Sequence, residues 1–324
     1  MIGEARGGKV GLVGTGMVGS SFAYALMQRR VASELVMIDL DHRRAEGEAM
    51  DLNHGLPFVS PMRVRAGTYD DLADAEVVVI TAGRNQRPGE TRLDLLAKNA
   101  AVIEDIVPKI VAASPSAIQL IATNPVDVLT QIAAEKAGLP QGRVLGSGTV
   151  LDTARFRFLL GEHFRVNPRS VHAYIIGEHG DTQVPVWSLA SIGGVGLETF
   201  VGAQGRSKDL ADRDRIAEQT RTAAYEIIQR KQATYYAIGL ALVGIVEAIL
   251  RDQKTVLTVC SPLTNLEGLS GPMSSSLPSV VGRGGAEHVI DLPLTPAERD
   301  AFVHSVQTLR KSLDEVRGIG GFFA

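Results

Sequence analysis

One histidine is set apart by its neighbours. His179 lies in Gly177-Glu178-His179-Gly180-Asp181. An imidazole gains or gives up a proton near neutral pH, and flanking glycines permit a sharp backbone and close approach of a small molecule. In Leu151-Asp152-Thr153-Ala154-Arg155 a carboxylate and a guanidinium stand three residues apart, so on a helix they share one face. Alone, that pair reads as a surface ion pair worth about 0.5 kcal/mol. Three further polar segments accompany it: Asn85-Gln86-Arg87-Pro88-Gly89-Glu90-Thr91-Arg92, Ala122-Thr123-Asn124-Pro125-Val126-Asp127 and Ala233-Thr234-Tyr235-Tyr236.

A second chemistry is written near the start. Gly14-Thr15-Gly16-Met17-Val18-Gly19 follows the apolar run Val10–Val13 and opens a helical pattern, and Asp39 closes the next apolar run. In such a turn Gly14 permits the tight bend, Gly16 admits a pyrophosphate to the backbone, and Gly19 lets helix and strand pack. The helix N-terminus favours phosphate. Asp39 suits ribose hydroxyls and repels a 2′-phosphate, which favours NAD over NADP; His42, Arg43 and Arg44 weaken that preference slightly.

The elements that must hold these groups follow from periodicity. Strands are expected at 10–13, 35–38, 63–65, 77–80 and 118–121, with helices near 17–30, 42–50, 94–113 and 126–137 between them. Unbroken apolar runs alternating with helices imply a doubly wound parallel sheet, a Rossmann domain over 1–148. Asn124 then falls at the end of a strand, where ligands gather in open α/β sheets. Beyond it, helices at 151–164, 209–230, 235–250 and 296–316 mix with strands at 171–176, 256–260 and 288–290. An α+β domain over 149–324 is expected.

Composition narrows the classes. The 324 residues carry a formal net charge of −3, which gives neither a basic footprint for nucleic acid nor a polybasic membrane patch. A lone cysteine, Cys260, fits a reducing compartment, and a cytoplasmic location is expected. Neither H-E-x-x-H nor a Cys/His cluster is present, so no metal is expected.

Taken together and in their order along the chain, the five polar segments resemble those of the lactate/malate dehydrogenase family, specifically its bacterial L-lactate-type members. The resemblance implies that His179 is the acid/base and that Asp152 orients its second ring nitrogen. It implies that Arg155 binds the substrate carboxylate and that Arg92, on a closing loop, polarises the carbonyl. Asn124 would contact both substrate and cofactor, and Thr234 would line the substrate pocket. With Gly14, Gly16, Val18, Gly19 and Asp39, the implied NAD contacts are Arg44, Tyr69, Gly83, Arg84, Ala122, Thr123, Asn124 and Ser147. The family usually has glycine where this chain has Gln232.

Substrate choice in the family turns on the position of Gln86, which is arginine in malate-type members. A neutral side chain there leaves a second substrate carboxylate unpaired, so pyruvate and lactate are expected. Arg84 and Arg87 flank it, and a loop shifted by one residue would present a cation instead. Arg157 points about 200° away from Arg155 on a helix. Together with His172 it matches positions that bind fructose 1,6-bisphosphate between subunits of allosteric members, and a homotetramer is implied. The alternatives are a malate or other 2-hydroxy acid dehydrogenase, an NAD- and metal-dependent glycosidase, and a non-catalytic NAD-binding scaffold.

Overall fold

Short runs rich in valine, isoleucine and leucine form the centre of an eight-stranded sheet. The computed structural model describes residues 8–84, 89, 91–203, 211–264 and 271–318. The first half runs β1 (Lys9–Val13), α1 (Met17–Arg29), β2 (Glu34–Ile38), α2 (His42–Gly55), β3 (Arg63–Ala66), β4 (Val77–Ile80), α3 (Arg92–Ala113), β5 (Ile118–Ile121), α4 (Val126–Ala137) and β6 (Val144–Gly146). The second half opens with α5 (Val150–Phe164), then β7 (Val171–His172), β8 (Ile175–Ile176), β9 (Val184–Pro185), β10 (Ser191–Ile192) and β11 (Val195–Gly196). It continues through α6 (Leu197–Ala203), α7 (Arg213–Lys231), α8 (Tyr236–Leu250), β12 (Thr255–Leu257), β13 (Cys260–Leu263), β14 (Met273–Ser276), β15 (Ser279–Gly282), β16 (Gly285–Val289) and α9 (Pro296–Gly318).

The sheet order is β14-β13-β6-β5-β4-β1-β2-β3. From β6 to β3 every pairing is parallel, and the winding reverses between β1 and β4. That switch point opens a crevice at the carboxyl ends of the strands. Both faces are buried, as unbroken apolar strands require. On one face Val36, Val78, Ile80 and Ile121 pack with residues of α3, α4 and α9. On the other, Leu12, Leu35, Val79 and Leu120 pack with α1 and α8.

The two halves interlock more than the alternation of segments implies. β13 joins the first-half sheet antiparallel to β6, β14 pairs antiparallel with β13, and α8 and α9 complete the two layers of the sheet. A separate apolar cluster of Phe156, Leu160, Phe164, Val171, Ile175 and Ile216 sits under α5 and α7.

Several expected elements differ in extent. The 171–176 stretch is two short strands in different sheets, β7 with β10 and β8 with β9. The 256–260 stretch is likewise divided, β12 pairing with β15 and β13 with β14. Periodicity identifies extended chain but not its partner. Helix α2 runs on to Gly55 because Leu52 still packs against the core.

Candidate active site

The glycine turn does three separate jobs. Gly14 has φ +98°, and a Cβ there would collide with the Ala82 backbone. Gly19 packs so closely on Gly14 that a side chain would strike its carbonyl, whereas around Gly16 there is open space. Helix α1 begins after Gly16 with no side-chain cap and no acidic residue in its first turn, so the N–H groups near Val18 face that space. Thr15 donates its N–H and hydroxyl to Asp39 Oδ2, at 2.7 and 2.9 Å, and Asp41 donates its N–H to Oδ1. Partial burial raises the Asp39 pKa, but these hydrogen bonds outweigh it and hold the carboxyl below its usual value. An ionised acceptor, an open glycine and a bare helix end fit a dinucleotide with a free ribose diol.

The other expected cofactor residues divide. Arg44 lies in the first turn of α2 and adds a favourable charge to Asp39. Gly83 and Arg84 follow β4; Ala122, Thr123 and Asn124 follow β5; Ser147 follows β6. All six therefore stand at the carboxyl edge. Thr123 spends its hydroxyl on the Ala82 carbonyl at 2.7 Å, and Ser147 is buried, its N–H on Ile121. Both shape the edge, while Asn124 is exposed to the crevice. Tyr69 packs against α3 instead, beneath Lys109. Burial, helped by Asp105, pushes its hydroxyl up to about 12.

Sequence reasoning passed over Asn99. It is buried on α3 and its side-chain carbonyl accepts the Arg84 N–H at 2.7 Å. Its amide donates to the Asn124 carbonyl at 2.8 Å, so it clasps two edge loops together. The signal was an amide between Leu96 and Ile103 on an otherwise apolar stripe.

Asp152, Arg155 and His179 come together. Asp152 Oδ2 lies 2.5 Å from His179 Nδ1, and Arg155 Nη1 donates to Asp152 Oδ1 at 2.8 Å. The Asp152 side chain is 4% exposed and that of His179 23%, so with Nδ1 engaged the open edge of the imidazole is Nε2. Burial disfavours a charged imidazole. The Asp152 charge and hydrogen bond, with Asp127 behind them, outweigh that and raise its pKa. Burial also disfavours the Asp152 carboxylate, but His179 and Arg155 hold it below its usual range. Gly177, at φ +86°, makes the turn; a side chain there would press on Ser305.

Arg92 is the first residue of α3, inside the Thr91–Asp94 capping box, rather than a loop residue before the helix. Its guanidinium, 79% exposed, reaches Asp181 at 3.3 Å and the Tyr225 hydroxyl at 3.4 Å. It stands at the rim of the His179 turn, not on Asp152 or Arg155. Thr234 is half-buried between α7 and α8, both of which pack on α5. Gln86 lies outside the described residues. On the side of α5 away from the crevice, Arg157 donates to the Ala173 carbonyl at 3.0 Å, next to exposed His172. Burial lowers the pKa of Arg157.

Comparison with known proteins identifies the family. Residues 8–146 match the lactate/malate dehydrogenase NAD binding domain, and residues 149–318 match the lactate/malate dehydrogenase alpha/beta C-terminal domain. The chain belongs to the lactate/malate dehydrogenase family, and NAD is its cofactor. It is 50% identical to an L-lactate dehydrogenase of Priestia megaterium, over 94% of this chain and 96% of that one. It is 52% identical to an L-lactate dehydrogenase of Thermus aquaticus, over 93% and 97%. Among solved structures, it superposes on the minor L-lactate dehydrogenase of Enterococcus mundtii with a TM-score of 0.90 at 44% identity, covering 96% of this chain and 99% of the other. Among the described residues no helix is long and apolar enough to cross a membrane, and no acidic, His or Cys cluster forms a metal cage.

Proposed function

We propose that the protein is an L-lactate dehydrogenase that interconverts pyruvate and (S)-lactate, with His179 as acid/base. The observation that carries this reading is the buried Asp152 held between His179 Nδ1 and Arg155, which leaves Nε2 and a guanidinium edge open to the crevice. When bound, the nicotinamide supplies the hydride for the keto carbon in reduction and takes it back in oxidation. Arg155 pairs with the substrate carboxylate through its planar fork. His179 gives its Nε2 proton to the keto oxygen as the carbon–oxygen double bond becomes a hydroxyl-bearing single bond, and it recovers that proton in the reverse direction. Asp152 keeps the ring oriented and stabilises the imidazolium between turnovers. Asn124 contributes from the strand edge, and Arg92, moving from Asp181, brings a second cation to the carbonyl oxygen.

Pyruvate is preferred to oxaloacetate in this reading because Gln86 offers no cation to a second carboxylate. Loss of NADH absorbance is expected to be fast with pyruvate and slow with oxaloacetate. Abolition of both by His179→Gln is expected too; a His179→Gln enzyme that turns over pyruvate at the parent rate defeats the reading.

Regulation and assembly extend it. Arg157 beside exposed His172 suits a phosphate, and two such pairs across a two-fold axis suit fructose 1,6-bisphosphate. A lower pyruvate KM with the effector is expected, weakening as pH rises; identical saturation curves below pH 6 refute it. Exposed Tyr24, Tyr236 and Leu240 on α1 and α8, around a cavity of about 680 Å³, support burial between copies of a cytoplasmic homotetramer.

A further inference from the structure

Behind the proposed centre lies a carboxylate that the chemistry above does not use. Asp127, in the first turn of α4, is 2% exposed. Its Oδ2 accepts the His179 main-chain N–H at 2.8 Å, and its Oδ1 lies 3.5 Å from the Ser276 hydroxyl. The Cys260 thiol also donates to it. An asparagine could accept the His179 N–H and donate to the Ser276 hydroxyl without the cost of burying a charge. Among the described residues no lysine or arginine pairs with it; the one cation that favours its ionised form is the His179 imidazolium.

We propose that Asp127 is a positioning residue for proton transfer: it clamps the His179 main chain to the turn that carries Asn124, and its charge favours the protonated imidazole. The proposal rests on the reading of His179 as proton donor. Asn124 lies three residues before Asp127, so one short segment fixes a crevice residue and, through one hydrogen bond, the backbone of the imidazole. The groups that face this pair are Asp152 and Arg155 from α5, Glu178 from the same turn and Cys260 from β13. Asp152 works with Asp127 on the ring, and Arg155 works against both. Burial pushes the Cys260 thiol well above its usual value, so it donates without adding charge.

Burial is also what sets the state of Asp127, raising its carboxyl to about 6 against the pull of the His179 N–H and ring. A folded-state pKa above the unfolded value means that the folded protein holds this proton more tightly. Stability from this group is full below pH 3.8 and falls as pH rises through about 6. Above that range the ionised carboxylate burdens the fold while it serves the imidazole.

The test is Asp127→Asn, which keeps an acceptor for the His179 N–H and removes the charge. In pyruvate reduction, kcat/KM falls as pH rises through the pKa of the donor. In the variant that fall is expected about one pH unit lower, with about tenfold less kcat/KM at pH 8. NADH affinity is expected to be unchanged, and the melting temperature at pH 8 no lower than the parent's. A merely structural role predicts the opposite: a lower melting temperature with an unshifted pH profile, which overturns the proposal, as does a variant equal to the parent in both. Should the variant not accumulate, Cys260→Ala removes one donor from the carboxylate and is expected to move the same limb to lower pH. An unmoved limb there is equally fatal. His179→Gln in parallel separates the two claims, because turnover in that enzyme would defeat the reading of His179 rather than the role of Asp127 alone.

Discussion

Replacing Arg155 by lysine keeps the charge and removes the fork. In the structure Nη1 is committed to Asp152 Oδ1 at 2.8 Å, and the side chain is 13% exposed. The rest of the guanidinium has no protein partner among the described residues, so a whole edge remains for a substrate carboxylate. A lysine nitrogen that keeps Asp152 cannot also offer two parallel donors, because its tetrahedral ammonium has no fork and leaves at most one for the carboxylate. Each charge-assisted hydrogen bond is worth about 1.5–3 kcal/mol in a buried site, so one lost bond plus imperfect pairing amounts to about 3 kcal/mol. That corresponds to about a 150-fold fall in kcat/KM for pyruvate at 25 °C. Because the carboxylate is held in the ground state as well as the transition state, most of the loss is expected in KM. Stopped-flow reduction of pyruvate, with NADH binding followed by fluorescence in the same samples, separates the effects. A change below tenfold in kcat/KM, or an equal loss of NADH affinity, refutes the assignment of this edge to substrate.

Three other outcomes follow from local geometry. Gln232 ends α7 at φ 68°, a left-handed conformation that favours glycine, with its N–H on the Ile228 carbonyl at 2.7 Å. Gln232→Gly is expected to add about 0.5–1 kcal/mol after glycine's extra freedom in the unfolded chain is subtracted, measured by chemical denaturation; a loss of stability refutes the strain. Gln119, fully buried on β5, has neither amide atom bonded to a protein group among the described residues, so Gln119→Met is expected to raise stability by about 1–2 kcal/mol, and a destabilised variant refutes that account. The Thr68 N–H and the Arg65 guanidinium hold the Asp71 carboxyl down at about 2, so its contribution is full above pH 3.8 and disappears as pH falls through 2. With 35% of that side chain exposed, Asp71→Asn is expected to lower stability by less than about 1 kcal/mol at pH 7, a gap that closes in acid; a gap that widens in acid refutes the pairing.

What the sequence made legible is what periodicity and turn chemistry encode locally. Strands at 77–80 and 118–121 and the helix at 126–137 fall where their apolar patterns put them. The Gly14–Gly19 turn and Asp39 were readable because each glycine meets a separate steric demand. Pairing was not readable. Met273-Ser274-Ser275-Ser276 has no apolar signal, yet β14 is buried throughout, with Ser274 bonded to Gln131 and Ser276 close to Asp127. A strand that buries hydroxyls against polar partners looks like a loop until those partners are known. Asn99 was missed, and Asp127 was read only as a member of its polar segment, for a related reason: both act on the main chain of distant residues, and a main-chain donor leaves no mark in the sequence.

The position of the imidazole relative to the crevice follows from hydrogen-bond ladders. β1, β4, β5 and β6 carry the glycine turn and Asn124 on adjacent, parallel strands. β13 pairs with β6, and β14 with β13, so the ladder continues into the second half of the chain. Gly177 then bridges to Ser276 on β14, with N–H to carbonyl distances of 2.9 and 3.1 Å in the two directions. His179 is two residues from that bridge and is tied back to α4 by Asp127. Its backbone therefore has two anchors in one rigid frame, one at the far edge of the sheet and one beside Asn124. The Arg92 guanidinium, at the far end of a long side chain, has no buried partner among the described residues: it bonds Asp181 and Tyr225, side chains at the surface. Proton transfer needs placement within a few tenths of an ångström, whereas a cation that must make way for a substrate must let go of its contacts. The difference in anchoring matches the different demands that the proposed roles place on the two groups.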